Sequence, residues 1–221
     1  MEFNKSLLAS IALPVLLSAC STPDNTAASC FDDELFQSGK TYHYTDQYVM
    51  EMFDTYGVDV AVRVKEQGAI TVLDVEYHSR TSHPGTGTND EFVYRFDKAR
   101  NQFGFISREN ERSKTTADPI NVIVDFTAQV GESTAFSVTH QFVDKETGEV
   151  RPTSFDATVT FQEIAPLSTA LGEFESCVFV HESELATSTY WYRRDDGVLL
   201  KRQNVGNGMT AVRVLTAIES T

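Results

Sequence analysis

The sequence predicts a mainly all-β protein, a curved antiparallel meander or half-open barrel with little helix. Three observations carry that expectation. Side chains alternate with period two in run after run, turn-forming residues separate the runs, and no long segment shows helical periodicity.

The chain opens with a short polar stretch (residues 1–5) and an apolar run, residues 7–17 (LLASIALPVLL), interrupted only by Ser10 and Pro14. Leu17-Ser18-Ala19-Cys20 closes it with small residues before a cysteine. Such a segment is a cleavable secretion signal, too short to cross a bilayer as a helix. Its last residues resemble a lipobox, the site at which bacteria acylate the cysteine thiol and cut before it. That resemblance implies a signal peptide over residues 1–19 and a membrane contact through lipid on Cys20. Ser21 in place of aspartate resembles the outer-membrane sorting pattern, so the expected address is the cell envelope, lipid-anchored on the periplasmic side of the outer membrane. Residues 20–29 (CSTPDNTAAS) are small and polar and read as a flexible tether. Residues 30–221 read as a single β domain, long enough for a real core.

The β runs follow in order. Val58, Val60, Val62 and Val64 share one face, with Asp59, Arg63 and Lys65 among the residues opposite. Ile70 and Val72 begin a run that shifts phase before Val75 and Tyr77. Phe92, Tyr94 and Phe96 alternate with Val93 and Arg95. Phe136, Val138, His140 and Phe142 form a fourth face, and Phe155, Ala157, Val159 and Phe161 a fifth. Cys177, Phe179 and His181 alternate with Val178 and Val180, and Val212, Val214 and Thr216 end the chain. About ten antiparallel strands are expected, with one helical turn over residues 166–171 and polar loops over residues 79–89 and 109–119.

Glu66-Gln67-Gly68, Lys98-Ala99-Arg100-Asn101, Glu146-Thr147-Gly148 and Asp196-Gly197 suit hairpin connections. A two-residue turn at Asp196-Gly197 sets Trp191 opposite Arg202 and Tyr192 opposite Lys201. A longer loop that includes Asp195 moves this register by one.

The formal charge of −14 excludes nucleic acid as a natural partner, because phosphate binding needs clustered cations. With Cys20 taken by lipid, Cys30 and Cys177 remain, and an oxidising compartment favours a disulfide between them.

The last third carries a family resemblance. Gly172-Glu173-Phe174-Glu175-Ser176-Cys177, Thr189-Tyr190-Trp191-Tyr192 and Gly197-Val198-Leu199-Leu200-Lys201-Arg202 stand in order, and Cys30-Phe31 precedes Gly39-Lys40-Thr41-Tyr42. This pattern resembles uncharacterised bacterial envelope lipoproteins with curved sheets of the LolA, LolB and LppX kind. The resemblance implies a curved sheet and lipid-like ligands; its motifs match fold elements, not catalytic groups.

No catalytic, metal or cofactor site is expected. The histidines (His43, His78, His83, His140, His181) show no metal-ligand spacing. His78 and His83 could meet Asp90 or Glu91, but solvated loop imidazoles are the simpler reading. His140 and His181 read as half-buried histidines with one hydrogen bond each. No G-x-S-x-G elbow is present, Asp32-Asp33-Glu34 reads as a solvated charge run, and Gly85-Thr86-Gly87-Thr88 lacks the lysine and helix of a phosphate loop.

The leading expectation is a lipid-tethered module that binds a lipid or other apolar ligand on a concave sheet. Candidate lining groups are Phe92, Tyr94, Phe96, Phe136, Phe142, Phe155, Phe161, Phe179 and Tyr190, each of which also suits plain core. The alternative is a structural lipoprotein with a filled interior whose surface meets an envelope protein.

Overall fold

A computed structural model describes residues 25–31, 39–50, 53–66, 70–79, 89–97, 100–194 and 196–220. The signal peptide, Cys20 and residues 20–24 of the tether lie outside the described residues. So do Asp32-Asp33-Glu34, Gln67 and Gly68, residues 80–88 with His83, Lys98 and Ala99, Asp195, and the side chain of Phe96.

Among the described residues the chain forms twelve strands: β1 (Lys40–Met50), β2 (Phe53–Glu66), β3 (Ile70–Ser79), β4 (Asn89–Asp97), β5 (Gln102–Glu109), β6 (Ser113–Asp125), β7 (Ser133–Asp144), β8 (Val150–Thr169), β9 (Gly172–Ser183), β10 (Thr187–Arg193), β11 (Leu199–Gly206) and β12 (Met209–Ser220). Each pairs antiparallel with its sequence neighbours, and β1 pairs with β12 from Lys40↔Ser220 to Met50↔Met209. The sheet is therefore a closed barrel without edges, not half open. Closure at this strand number leaves an interior wider than side chains fill unaided. Bulges at His43/Tyr44, Val93/Tyr94, Phe103/Gly104 and Phe161/Glu163 bend the strands round it.

The valines of β2 all point into the core as their period predicts, Val58, Val60, Val62 and Val64 being buried. Elsewhere the inward set differs from the sequence reading. In β3 the buried residues are Thr71, Leu73 and Val75, while Ile70 is exposed, so there is no phase break. The inward polar Thr71 hid the true alternation. In β12 it is Leu215 that is buried, with Arg213 in its phase, and Val212 and Val214 take the other face. The bulge opposite His43/Tyr44 passes over Thr216 there.

Two expected non-strand regions are strand. Residues 109–119 are the β5–β6 hairpin rather than a loop. Asn110 Oδ1 accepts the backbone N–H groups of Arg112 and Ser113 at 2.9 and 2.8 Å, and Ser113 starts a strand paired on both sides. Its polar sequence is stabilised across strands, where Glu109 meets Lys114 at 2.9 Å and Lys145 at 2.8 Å. Residues 166–171 form no helical turn either. Pro166 lies in β8 opposite Glu175, and β8 runs to Thr169 before a tight turn into Gly172.

The β10–β11 loop is the longer one. Arg193 N–H donates to Val198 O at 2.8 Å, so Trp191 pairs with Lys201 and Tyr190 with Arg202. Lys201 Nζ sits 4.6 Å from the Trp191 ring centroid. The two-residue turn of the mirror-image type belongs instead to Asn207 and Gly208, with φ of 52° and 69°, between β11 and β12.

One end of the barrel is plugged by residues 26–31. Thr26 bridges to Gln129, Ala27 N–H donates to Ala128 O at 2.8 Å, and a 3-10 turn (Ala27–Cys30) carries Ala27 and Cys30 into full burial. Residues 26–29, assigned to the tether, are thus docked. Cys30 is joined to Cys177 of β9. Phe31 packs edge-on against Phe126 and Tyr192 at 5.3 and 5.2 Å between centroids. This plug, with Phe103, Phe161 and Phe179, forms one core cluster; Tyr42, Tyr44, the β2 valines, Leu73, Leu200 and Leu215 form another.

Candidate functional site

Between the two clusters lies a cavity of about 410 Å³, lined by β1–β6 and β10–β12. That volume falls within the range of about 300–1,000 Å³ usual for small-molecule sites. Its walls combine an apolar floor with polar tips. Val58, Val62, Leu73, Val75, Ile123 and Leu199 give the aliphatic part. Tyr44, Tyr48, Tyr56, Tyr77, Tyr94, Tyr190 and Tyr192 give the aromatic part, seven of the eight tyrosines in the chain. Arg108, Arg202 and Arg213 bring three guanidinium groups, and among the described residues no carboxylate lines the cavity directly.

Strand alternation explains the concentration. Tyr44 and Tyr48 stand two positions either side of Asp46 on one face of β1, and Tyr190 and Tyr192 share one face of β10. The rings stack in pairs: Tyr48 on Tyr56 at 4.8 Å, Tyr94 on Phe103 at 5.4 Å, and Tyr190 on Tyr192 at 6.0 Å. At Gly104, beside Phe103, any side chain would meet Asn121 O at 2.5 Å, so β5 and β6 approach closely here only because the residue is glycine.

Two of the three arginines are matched by carboxylates behind the lining. Asp46, 3 % exposed, accepts Arg213 Nε and Nη2 at 2.7 Å each, and the Tyr48 hydroxyl at 3.2 Å. Burial pulls the Arg213 pKa down, but the bonds to Asp46 and its charge raise it further, so the guanidinium stays charged. Asp90, fully buried, accepts Arg108 Nε at 3.0 Å and Nη2 at 2.6 Å, and Asn110 Nδ2 at 2.8 Å. Arg202 differs: among the described residues it has no hydrogen bond and no ion pair. Its charge acts on the phenols of Tyr94 and Tyr192.

Burial raises the phenol pKa of Tyr44, Tyr48 and Tyr192, and pushes Tyr94 up to about 12, with Arg202 opposing the rise at Tyr94 and Tyr192. These hydroxyls are therefore neutral at physiological pH and can donate as well as accept.

Of the residues expected to line a binding face, the cavity gathers Phe92, Tyr94 and Tyr190. The others whose side chains are described sit elsewhere. Phe161 and Phe179 stack at 4.8 Å in the core beside the disulfide. Phe136 packs on His181 and Phe155 on His140, with centroids 5.6 and 5.0 Å apart, and Phe142 lies under the Arg151 guanidinium at 4.7 Å. The arginines and the β1–β3 tyrosines escaped the sequence reading. The signal available was the Tyr42-x-Tyr44-x-Asp46-x-Tyr48 alternation, a polar-tipped face of period two.

Among the described residues the histidines meet at most one acid each, His43 lying 3.3 Å from Glu219. His140 and His181 share the amide of Asn121, at 3.4 and 3.2 Å, away from the cavity lining. His78 lies 3.2 Å from Glu76, Asp90 is taken by Arg108, and Glu91 is bonded by Lys65 at 3.3 Å. Among the described residues no group of three or more His, Cys, Asp or Glu is placed to hold a metal ion.

These features define a closed antiparallel barrel with an aromatic, cation-bearing interior cavity. No protein-family model matches the sequence, and no curated protein does. At the level of fold the chain is distantly similar to proteins of known crystal structure. One is the hypothetical lipoprotein YmcC from Escherichia coli (K12), 9% identical, with a TM-score of 0.44 over 79% of this chain and 84% of that one. Another is the LolA superfamily protein NE2245 from Nitrosomonas europaea, 11% identical, with a TM-score of 0.32 over 89% of this chain and 94% of that one.

Proposed function

We propose that the protein is a lipid-anchored envelope barrel that binds one small amphipathic molecule in its interior and does not transform it. The observation that carries this reading is the cavity itself. About 410 Å³ is left open inside a barrel otherwise filled by side chains and a plug, and its lining sets aliphatic walls beside phenol and guanidinium tips. A filled interior, as a purely structural lipoprotein would have, leaves no such space. The binding reading also accounts for the unequal distribution of tyrosine, because a phenol offers apolar area and a hydrogen bond together.

The anchor follows from the sequence. With Cys20 acylated and Thr26 fixed to Gln129, at most about 20 Å of extended chain separates the membrane from the plugged end. The barrel is then held close to the outer membrane on its periplasmic side, in reach of molecules leaving the bilayer.

The test is lipid extraction and native mass spectrometry of protein purified from membranes in mild detergent, followed by calorimetric titration of the stripped protein with dodecan-1-ol. A co-purified molecule of one mass class, or saturable binding at one site, is expected. Protein recovered empty that also takes up no dodecan-1-ol overturns the reading.

A further inference from the structure

We infer that Arg202 is the anchor for the acidic head of a single-chain amphiphile, so that the ligand class is a monoanion such as a long-chain carboxylate. This deepens the cavity-binding reading and rests on it.

The inference starts from charge. The protein carries −14 overall, yet among the described residues its cavity is lined by three cations and no anion. Arg213 and Arg108 are each neutralised by one buried aspartate in two-bonded geometry. That leaves the lining with one net positive charge, on Arg202. A half-buried guanidinium without a partner has lost part of its hydration and gained nothing in return. An arriving carboxylate supplies what is missing, because the planar fork of Arg matches two oxygens at once.

The surroundings select the rest of the ligand. Tyr190 is the register partner of Arg202, and the Arg202 charge reaches the phenols of Tyr94 and Tyr192. These neutral hydroxyls can bond an oxyanion but cannot neutralise Arg202. The same lining also holds Val58, Val62, Leu73 and Val75, which offer only hydrocarbon. Size bears on the length of the chain. At about 30 Å³ per heavy atom, the share a water molecule takes in the liquid, the cavity holds roughly fourteen non-hydrogen atoms. That matches a single chain of about twelve carbons with a two-oxygen head.

The test uses the full lipidated chain in mild detergent, stripped of bound lipid, at neutral pH. Three sub-micellar probes of equal chain length are titrated by calorimetry: dodecanoate, dodecan-1-ol and dodecyltrimethylammonium. Dodecanoate is expected to bind at least tenfold more tightly than dodecan-1-ol, and the ammonium most weakly. In Arg202→Gln the preference for dodecanoate disappears while dodecan-1-ol still binds. Arg202→Lys keeps part of the preference, and Lys201→Gln, on the opposite face over Trp191, keeps all of it. Equal binding of dodecanoate and dodecan-1-ol by the native protein, or an undiminished preference in a folded Arg202→Gln, overturns the assignment and leaves the cavity reading standing. Binding of none of the three overturns both. Should Arg202→Gln not fold, the three-probe comparison on native protein and on Arg202→Lys decides.

Discussion

Asp46 and Arg213 meet face to face across the seam where the first strand of the barrel joins the last, as direct register partners of β1 and β12. Two bonds of 2.7 Å join them, and Asp46 is buried behind the cavity wall. Two roles follow from this position. The pair fixes the register of barrel closure between residues far apart in sequence, and it cancels the Arg213 charge, so that among the described lining residues Arg202 is left as the one unmatched cation.

Removing one partner leaves the other charged and buried. Asp46→Asn keeps the shape but not the charge, and is expected to destabilise the protein by about 3–5 kcal/mol. Replacing both, as Asp46→Leu with Arg213→Met, should recover most of that loss, because two apolar groups need no partner. Urea denaturation of the single and double variants measures this. A double variant as unstable as Asp46→Asn would show that the pair contributes more than mutual neutralisation.

The same pair shows why the sequence reading reached the fold class but not the site. β2 was legible because four valines alternate without interruption. β1 was not, since an aspartate stands in the inward phase between Tyr44 and Tyr48, and its partner is 167 residues away. Arg213 likewise stands between two valines, Val212 and Val214, whose alternation drew attention away from it. Polarity at an inward position is intelligible only with the partner strand beside it. The hairpin from β5 to β6 was missed for a related reason: its stabilisation is cross-strand charge pairing and not an apolar face. The cavity was displaced for a different one. The phenylalanines of β8 and β9 look like a binding face until the N-terminal plug is seen to pack there. Phe31 and the Cys30–Cys177 bridge occupy that side, and the free volume falls to the tyrosine side.

The disulfide should therefore matter to binding as well as to stability. It closes a loop of 147 residues, which in the chain-entropy account contributes about 5 kcal/mol, with measured costs of removal nearer 2–5 kcal/mol. Cys30→Ala with Cys177→Ala is expected to lose an amount in that range. It should also weaken dodecan-1-ol uptake, because Phe31 supports Tyr192, which lines the cavity. Thermal unfolding and calorimetry on the double variant check both effects. Unchanged binding at lowered stability would separate the plug from the site.

One buried group works against the fold. Thr71 Oγ1, on β3 and 1 % exposed, has no hydrogen-bond partner among the described residues. A buried hydroxyl without a partner costs about 1–3 kcal/mol, and valine has nearly the same shape without it. Thr71→Val is expected to raise stability by about 1 kcal/mol, read as a higher urea midpoint at unchanged slope. A loss of stability would mean that the hydroxyl bonds to an internal water.

The histidines give the fold a pH dependence of definite sign. Burial lowers the pKa of His140 and of His181, with the His140 charge also opposing protonation of His181, so the folded state takes up protons at lower pH than the unfolded chain. Stability from these groups is complete above the ordinary imidazole value of about 6.5 and is lost as pH falls below it, levelling off once the folded-state groups also protonate. Asp125 acts in a separate window. Burial raises its carboxyl, but bonds from Thr127, Thr134 and Gln102 lower it more, so its contribution is present above about pH 4 and is lost only in stronger acid. Urea midpoints should therefore fall between about pH 7 and pH 5 in the native protein. In His140→Gln with His181→Gln they should fall less, because glutamine can still bond Asn121 and carries no titratable proton. An equal fall in the double variant would place the acid sensitivity of this range elsewhere in the barrel.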